Sequence, residues 1–247
     1  MVILAESKQQ LSYMLKRLGE KVLVLQFPQE LTKEITVQIQ FYHDLFKSHP
    51  LEGILQVIPA MNTLSIRYNP LIITETAIEE FLKSNQSNEK MEDFGSPKKI
   101  YVPIVFGGKY SPDLKEVSEI LKIKEEKIID EIVGQEFYVY LNGFIAGFPY
   151  MGEINSDLSL PRKKVPRLQV PAGSVAIANN MCTIYTVESP GGWNLIGWTP
   201  MNIFDFSVSP PNRVNVGDYI CYKLITSTEA ENWDENMQKE WDQQWNQ

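Results

Sequence analysis

Residues 160–200 read LPRKKVPRLQVPAGSVAIANNMCTIYTVESPGGWNLIGWTP. Three short apolar runs stand in it: VAIA (175–178), TIYTV (183–187) and NLIGW (194–198). Proline, glycine or asparagine separates them. The same texture extends outward to FYVYL (137–141) and DYICYKLI (218–225). Eight of the fifteen prolines and seven of the fourteen glycines fall between residues 143 and 211, so long helices have no room there. Short runs of β-formers between turn residues predict a mainly-β barrel or sandwich over residues 100–226. A helical insert interrupts it after YVPIVFGGKY (101–110). Ser111 is the expected cap, Pro112 the first helical residue, and Asp113 is favourable at the positive end. Leu114, Val117 and Leu121 share one face of that helix, and Ile128, Ile129 and Ile132 begin a second.

Residues 1–84 read differently. VLVLQF (22–27) is a strand ended by Pro28, and Leu31, Ile35, Ile39 and Tyr42 recur at helical spacing. ILQVIPA (54–60) and NTLSIRYN (62–69) follow as two strands joined by a tight turn. Thr74 then caps a second helix carrying Ile78, Phe81 and Leu82. SYMLKR (12–17) fits either a first strand or a helical turn. The order predicts a ferredoxin-like α+β domain over 1–84. The polar stretch 85–99 reads as a linker. The tail, 227–247, carries −5 of the net charge of −8 and three of the five tryptophans. Trp233, Met237, Trp241 and Trp245 line one helix face, with Asn232 as cap and Glu235 closing a capping box. Such a stripe docks on the chain's own body or on a partner.

A net charge of −8 argues against a non-specific nucleic-acid binder. No run approaches the roughly 20 apolar residues that span a bilayer. The opening MVILAESKQQ lacks a signal-peptide pattern, so a reducing cytoplasm is the expected compartment. Cys182 and Cys221 are too few for a disulfide scaffold, and His43 and His49 leave little for histidine-based catalysis.

The chemistry gathers in GFIAGFPYMG (143–152) and in the opening stretch. RKKVPR (162–167) packs four cations into six residues of an acidic chain. Arg162 and Arg167 each follow a proline, which stiffens their approach, and arginine grips a carboxylate or phosphate through paired hydrogen bonds. Trp193 offers an apolar wall, with Phe148 and Tyr150 as a second. Pro190-Gly191 suits a type II turn with positive φ at Gly191, and Gly192 leaves the backbone bare for a ligand. A small anion is the ligand class these residues suggest. Ser174 has no histidine near it and reads as a turn hydroxyl rather than a nucleophile. FGGKY (106–110) precedes a helix but lacks phosphate-loop spacing. The two cysteines read as core thiols.

GFIAGFPYMG, LPRKKVPRLQVPAGSVAIA, IYTVESPGGWNLIGWTP and RVNVGDYI, in that order, resemble the 5-oxoprolinase B-subunit family. That family includes proteins like the first subunit of allophanate hydrolase and a Kip inhibitor of a histidine kinase. The resemblance implies a ferredoxin-like domain followed by a cyclophilin-like barrel. It implies work with C-type and A-type subunits in ATP-dependent opening of 5-oxoproline, a cyclic amide bearing a carboxylate. A carboxylate substrate and a phosphate fit Arg162 and Arg167, reached above from the residues alone and expected as the catalytic pair. Phe148, Tyr150, Ser174, Tyr185, Gly191, Gly192 and Trp193 are the residues expected to face substrate. The second reading is a regulator that binds a histidine kinase through the tryptophan-rich tail. The chain departs from the family pattern at Ala146, Met181, Cys182, Trp198 and Ile132, where the pattern has proline, glutamine, threonine, arginine and histidine. Asn179 and Asn180 stand where the pattern has glycines, and asparagine tolerates the same left-handed turn.

Overall fold

The computed structural model describes residues 13–85 and 97–246. The chain divides into two units, Met1–Ser96 and Pro97–Gln247. Most of the expected linker, 85–99, lies outside the described residues.

The first unit is a four-stranded antiparallel sheet with two helices. Its elements are β1 (Met14–Arg17), β2 (Val22–Gln26), α1 (Lys33–Ser48), β3 (Ile54–Pro59), β4 (Thr63–Tyr68) and α2 (Glu75–Ser84). The strands lie in the order β1-β2-β4-β3. The ambiguous SYMLKR is therefore strand from Met14 onward. Period-two alternation buries Leu23 and Leu25 of β2 and Leu64 and Ile66 of β4. Helix α1 covers them with Ile35, Ile39, Tyr42 and Phe46, spaced by three and four residues. Thr32 and Thr74 cap the two helices by accepting from the N–H groups of Ile35 and Ala77.

The second unit is built on a seven-stranded sheet. In chain order its strands are β5 (Lys99–Ile104), β6 (Glu136–Asn142), β7 (Pro149–Gly152), β9 (Ser174–Ala178), β10 (Met181–Ile184), β12 (Asn194–Trp198) and β13 (Tyr219–Leu224). They lie in the order β12-β9-β10-β7-β6-β13-β5. β5 and β13 run parallel; the other pairs are antiparallel. The sheet curls until its two ends meet. Val105, just past β5, exchanges hydrogen bonds of 2.8 and 3.0 Å with Trp198 of β12. Inside lie Val102, Ile104, Val139, Met151, Val175, Ile177, Ile196 and Ile220. α3 (Leu114–Leu121) and α4 (Glu125–Gly134) add Leu114, Val117, Ile128 and Ile132 to the same core. A two-stranded ribbon, β8 (Arg167–Val170) with β11 (Ser189–Gly191), stands apart from the main sheet. No helix of the described residues is long and apolar enough to cross a membrane.

Three local expectations are corrected. The cap position of α3 is Asp113, not Ser111, and Pro112 lies outside the helix. The Ser111 hydroxyl accepts instead from the Gly107 N–H at 2.5 Å, which pins the loop ahead of the helix. Pro190-Gly191 is not a turn; both residues belong to β11, and Gly191 is absent from the positive-φ positions. The tail forms two helices, α5 (Ser227–Glu231) and α6 (Glu235–Trp245). A capping box between Thr226 and Glu229 starts α5, Asn232 ends it, and Asp234 caps α6. The tryptophan stripe docks on its own unit. Trp241 Nε1 donates to the Tyr101 carbonyl at 2.7 Å, and Trp245 stacks on the Tyr101 ring at 5.4 Å.

Candidate functional site

Strand β9 sends Val175 and Ile177 into the barrel core and Ala176 and Ala178 to the opposite face. Those small side chains leave room above them for rings. Phe148, Tyr150, Tyr185 and Trp193 fill it, with Val170 and Leu195. Ring centroids are 5.0 Å apart for Phe148–Tyr150, 5.1 Å for Phe148–Tyr185 and 6.0 Å for Tyr150–Trp193, all edge-on. Over this cluster runs the loop containing RKKVPR. The Arg162 guanidinium carbon lies 5.5 Å from the Trp193 ring centroid, a cation–π distance.

The loop is tied down on both sides of Arg162. Asn194 Nδ2 donates to the Pro161 carbonyl at 3.0 Å, and the Lys163 N–H donates to the Gly192 carbonyl at 2.7 Å. Arg167 pairs with Gly191 across the ribbon, and its guanidinium donates to Asp113 Oδ1 at 2.6 Å. Lys163 Nζ lies 3.1 Å from the same oxygen and 2.7 Å from Glu116. Two of the four cations are thus neutralised. Arg162 and Lys164 have no ion pair among the described residues.

The titrations follow from this layout. Burial pushes the Tyr150 hydroxyl above its ordinary range, opposed by the charge of Arg162. Burial does the same to Tyr185, opposed by the Trp193 backbone N–H, which donates to its oxygen, and by Arg162. Both hydroxyls therefore stay protonated, as donors, through neutral pH. Burial draws the Lys163 ammonium down, but its bonds to Glu116 and Asp113 outweigh that and raise it.

Arg162, Arg167, Phe148, Tyr150, Tyr185, Gly191, Gly192 and Trp193 come together in one neighbourhood. Ser174 is buried at the start of β9, on the cluster's face but opposite Trp198 rather than among the rings. Gly191 answers to packing: a methyl group there would run into the Tyr185 hydroxyl. Asp113 is the residue that sequence reasoning passed over, reading it as a helix-end charge. The signal for it was charge balance, since four clustered cations need a carboxylate. The FGGKY loop is satisfied internally, with Lys109 paired to Glu231 at 2.9 Å. A cavity of about 470 Å³ beside α6 is lined by Lys98, Lys99 and Arg213 among others. Lys99 and Arg213 are already paired, with Glu136 and Asp242. Arg162 is thus the cation of the RKKVPR cluster that joins an aromatic surface to an unpaired charge.

Residues 13–214 match the model of the carboxyltransferase domain, subdomain C and D. The B subunit of 5-oxoprolinase from Bacillus subtilis (strain 168) is 30% identical over 229 residues, 87% of this chain and 93% of that protein. The chain belongs to the 5-oxoprolinase B-subunit family. The family's member from Escherichia coli O157:H7 is 31% identical over 204 residues, 82% of this chain and 92% of that one. Among solved structures, TTHA0988 superposes with a TM-score of 0.73 at 27% identity. The match covers 83% of this chain and 40% of that longer one. PH0987 from Pyrococcus horikoshii, described as uncharacterised, gives 0.53 at 31% identity over 88% of this chain and all of its own. The urea amidolyase of K. lactis shares the fold, with a TM-score of 0.69 at 16% identity over 94% of this chain and 16% of its own.

The departures from the family pattern fall mainly outside the cluster. Ile132 and Cys182 are fully buried in the barrel core, where burial pushes the Cys182 thiol up to about 12. Trp198 donates to the Ala172 carbonyl at 2.8 Å and stacks on Tyr110. The Ala146 carbonyl accepts from Thr186, and Met181 packs against the rim of the rings. Asn179 takes the left-handed conformation, φ 52°, between β9 and β10.

Proposed function

We propose that the chain is one component of an ATP-dependent amidohydrolase that opens 5-oxoproline to glutamate in the cytoplasm, acting with C-like and A-like subunits. Relatives named as the B subunit of 5-oxoprolinase support the complex. The observation that carries the reading to this site is Arg162, unpaired and held over Trp193. The lactam's carboxylate pairs with the exposed Arg162 guanidinium, which the buried Trp193 ring supports from beneath. The half-buried Tyr150 hydroxyl supplies a neutral donor for a carbonyl oxygen, and the buried Tyr185 packs behind it. In this reading Phe148 backs the rings, Gly192 brings the backbone close, Gly191 makes room for the Tyr185 hydroxyl, Ser174 lies at the margin, and Arg167 is a secondary donor. The finer fold names fit as well. In the first unit β1 takes the outer position that the last strand of a ferredoxin-like sheet would hold. The closed sheet of the second unit suits a cyclophilin-like barrel.

The lactam is a resonance-stabilised amide and a poor electrophile. ATP makes hydrolysis practical: the carbonyl oxygen attacks the γ-phosphorus and ADP leaves. Water then adds to the carbon and the ring C–N bond breaks, the freed amine taking up a proton, which leaves γ-glutamyl phosphate; a second water hydrolyses that acyl phosphate to glutamate and phosphate. This chain's part is to bind and orient the substrate, an entropic contribution. The rival reading, a histidine-kinase regulator, drew on a free tryptophan stripe; Trp241 and Trp245 are engaged by Tyr101 of the same unit.

The test is co-expression with C-like and A-like partners and measurement of 5-oxoproline- and ATP-dependent glutamate release. Arg162→Ala is expected to lower turnover at least a hundredfold while the complex still assembles. Full turnover by that variant, or none by the wild type with either partner, overturns the reading.

A further inference from the structure

We infer that Asp113 is the positioning residue of this site, holding the RKKVPR loop so that Arg162 stays over Trp193. The inference rests on the preceding reading for the ligand, though not for the geometry. Asp113 is 2% exposed and occupies the cap position of α3, yet its carboxylate makes no bond to the helix. An aspartate there ordinarily accepts from the first-turn N–H groups. This one turns away. Its Oδ2 accepts from the Leu195 N–H at 2.7 Å, and its own N–H donates to the Leu195 carbonyl at 3.0 Å. Its Oδ1 takes Arg167 at 2.6 Å and Lys163 at 3.1 Å. One carboxylate thus joins β12, two residues beyond Trp193, to Lys163 and Arg167, both on the C-terminal side of Arg162 in its loop.

The bond to Arg167 has a second consequence. Asp113 engages NH2 and leaves NH1 buried without an acceptor. A buried donor of this kind asks for a partner. Arg162 supplies the uncompensated charge, whereas Arg167 is neutralised by Asp113.

Asp113→Asn makes the claim testable through its sign. The substitution keeps the shape and an oxygen for Leu195, and it adds one net positive charge to the neighbourhood. If Asp113 acted only through its charge, anion binding would tighten. As a positioning residue its loss loosens the loop, and 5-oxoproline binding by the full chain, read by calorimetry, is expected to weaken at least tenfold. Asp113→Glu is expected to recover part of that loss. Inorganic phosphate serves as the comparison probe. The ligand-free readout is the Trp193 indole N–H resonance, expected to move in Asp113→Asn as the guanidinium leaves the ring. If Asp113→Asn fails to fold, Arg167→Gln removes the same bond from the other side and is expected to move the same resonance. An unmoved resonance, or 5-oxoproline bound as tightly as by wild type or more so, overturns the inference. Wild type failing to bind 5-oxoproline, with the resonance still moved, overturns the substrate reading and leaves the positioning role standing.

Discussion

Arg162 sits over the indole of Trp193, its guanidinium carbon 5.5 Å from the ring centroid. The ring also meets Phe148 and Tyr150 edge-on and is buried, so one side chain is both core packing and the support for Arg162. These roles separate by substitution. Trp193→Ala removes a buried ring and is expected to cost about 3–5 kcal/mol of stability in urea melts. Trp193→Phe keeps much of the packing but offers a weaker π face. It is expected to lower 5-oxoproline affinity by about 0.5–1 kcal/mol, two- to fivefold, in a titration. Equal affinity in Trp193→Phe would mean that Arg162 does not depend on the ring.

Gly191 and Gly192 predict opposite outcomes. A Cβ on Gly191 would collide with the Tyr185 hydroxyl, whereas one on Gly192 would lie 3.6 Å from the Lys163 carbonyl oxygen, an ordinary contact. Gly191→Ala is expected to destabilise the chain by about 1–3 kcal/mol through overpacking. Gly192→Ala should melt within a degree or two of wild type. Thermal melts of the two variants side by side check the pair, and a stable Gly191→Ala would mean that Tyr185 moves aside freely.

These contrasts mark what the sequence could disclose. Alternation and turn residues give the strands around VAIA and NLIGW, because a strand's burial is local and periodic. Helix α1 is legible for the same reason, in Ile35, Ile39 and Tyr42. RKKVPR and Trp193 are legible as a pair because one is an unusual charge cluster and the other a glycine-flanked indole. Asp113 was hidden because its partners lie 54 and 82 residues away. Nothing local separates a cap that bonds its helix from one that turns to a strand. Gly191 misled for a similar reason: a proline-glycine pair looks like a turn until the Tyr185 ring above it is in view.

Helix α6 shields a sheet edge, and its removal has a stated cost. β5 is the last strand of the seven, and one side of it faces α6. There the Tyr101 N–H donates to Asn246 Oδ1 at 2.7 Å, and the Tyr101 carbonyl accepts from Trp241. Pro103, two residues on, points the same way by alternation and has no N–H to offer. Exposed edges pair with other chains. A chain ending at residue 232 is expected to melt several degrees lower and to associate at rising concentration, read by light scattering. Asn246→Ala should show a fraction of both effects. A truncated chain that stays monomeric with an unchanged melt would show that Pro103 alone protects the edge.

The barrel core also predicts an alkaline weakness. Burial pushes the Cys182 thiol from about 9 up to about 12, with the Tyr222 hydroxyl 3.7 Å away and itself pushed well above 10. Below pH 9 the thiol is protonated in both folded and unfolded chains, and it does not alter their balance. Between pH 9 and 12 the unfolded chain releases a proton that the folded chain keeps, so unfolding is favoured as pH rises. The slope approaches about 1.4 kcal/mol per pH unit for one such group, and Tyr222 adds its share above pH 10. The melting temperature is therefore expected to be level up to pH 9 and then to fall, more steeply past 10. Cys182→Val, close in volume and without a titrating group, should lose less melting temperature than wild type between pH 9 and 10, the remaining loss coming from Cys221, whose thiol burial also raises. Thiolate absorbance at 240 nm, followed in the folded Cys221→Ser variant so that Cys182 alone reports, gives the direct check. Its appearance with a midpoint near 9 would contradict the burial of this thiol.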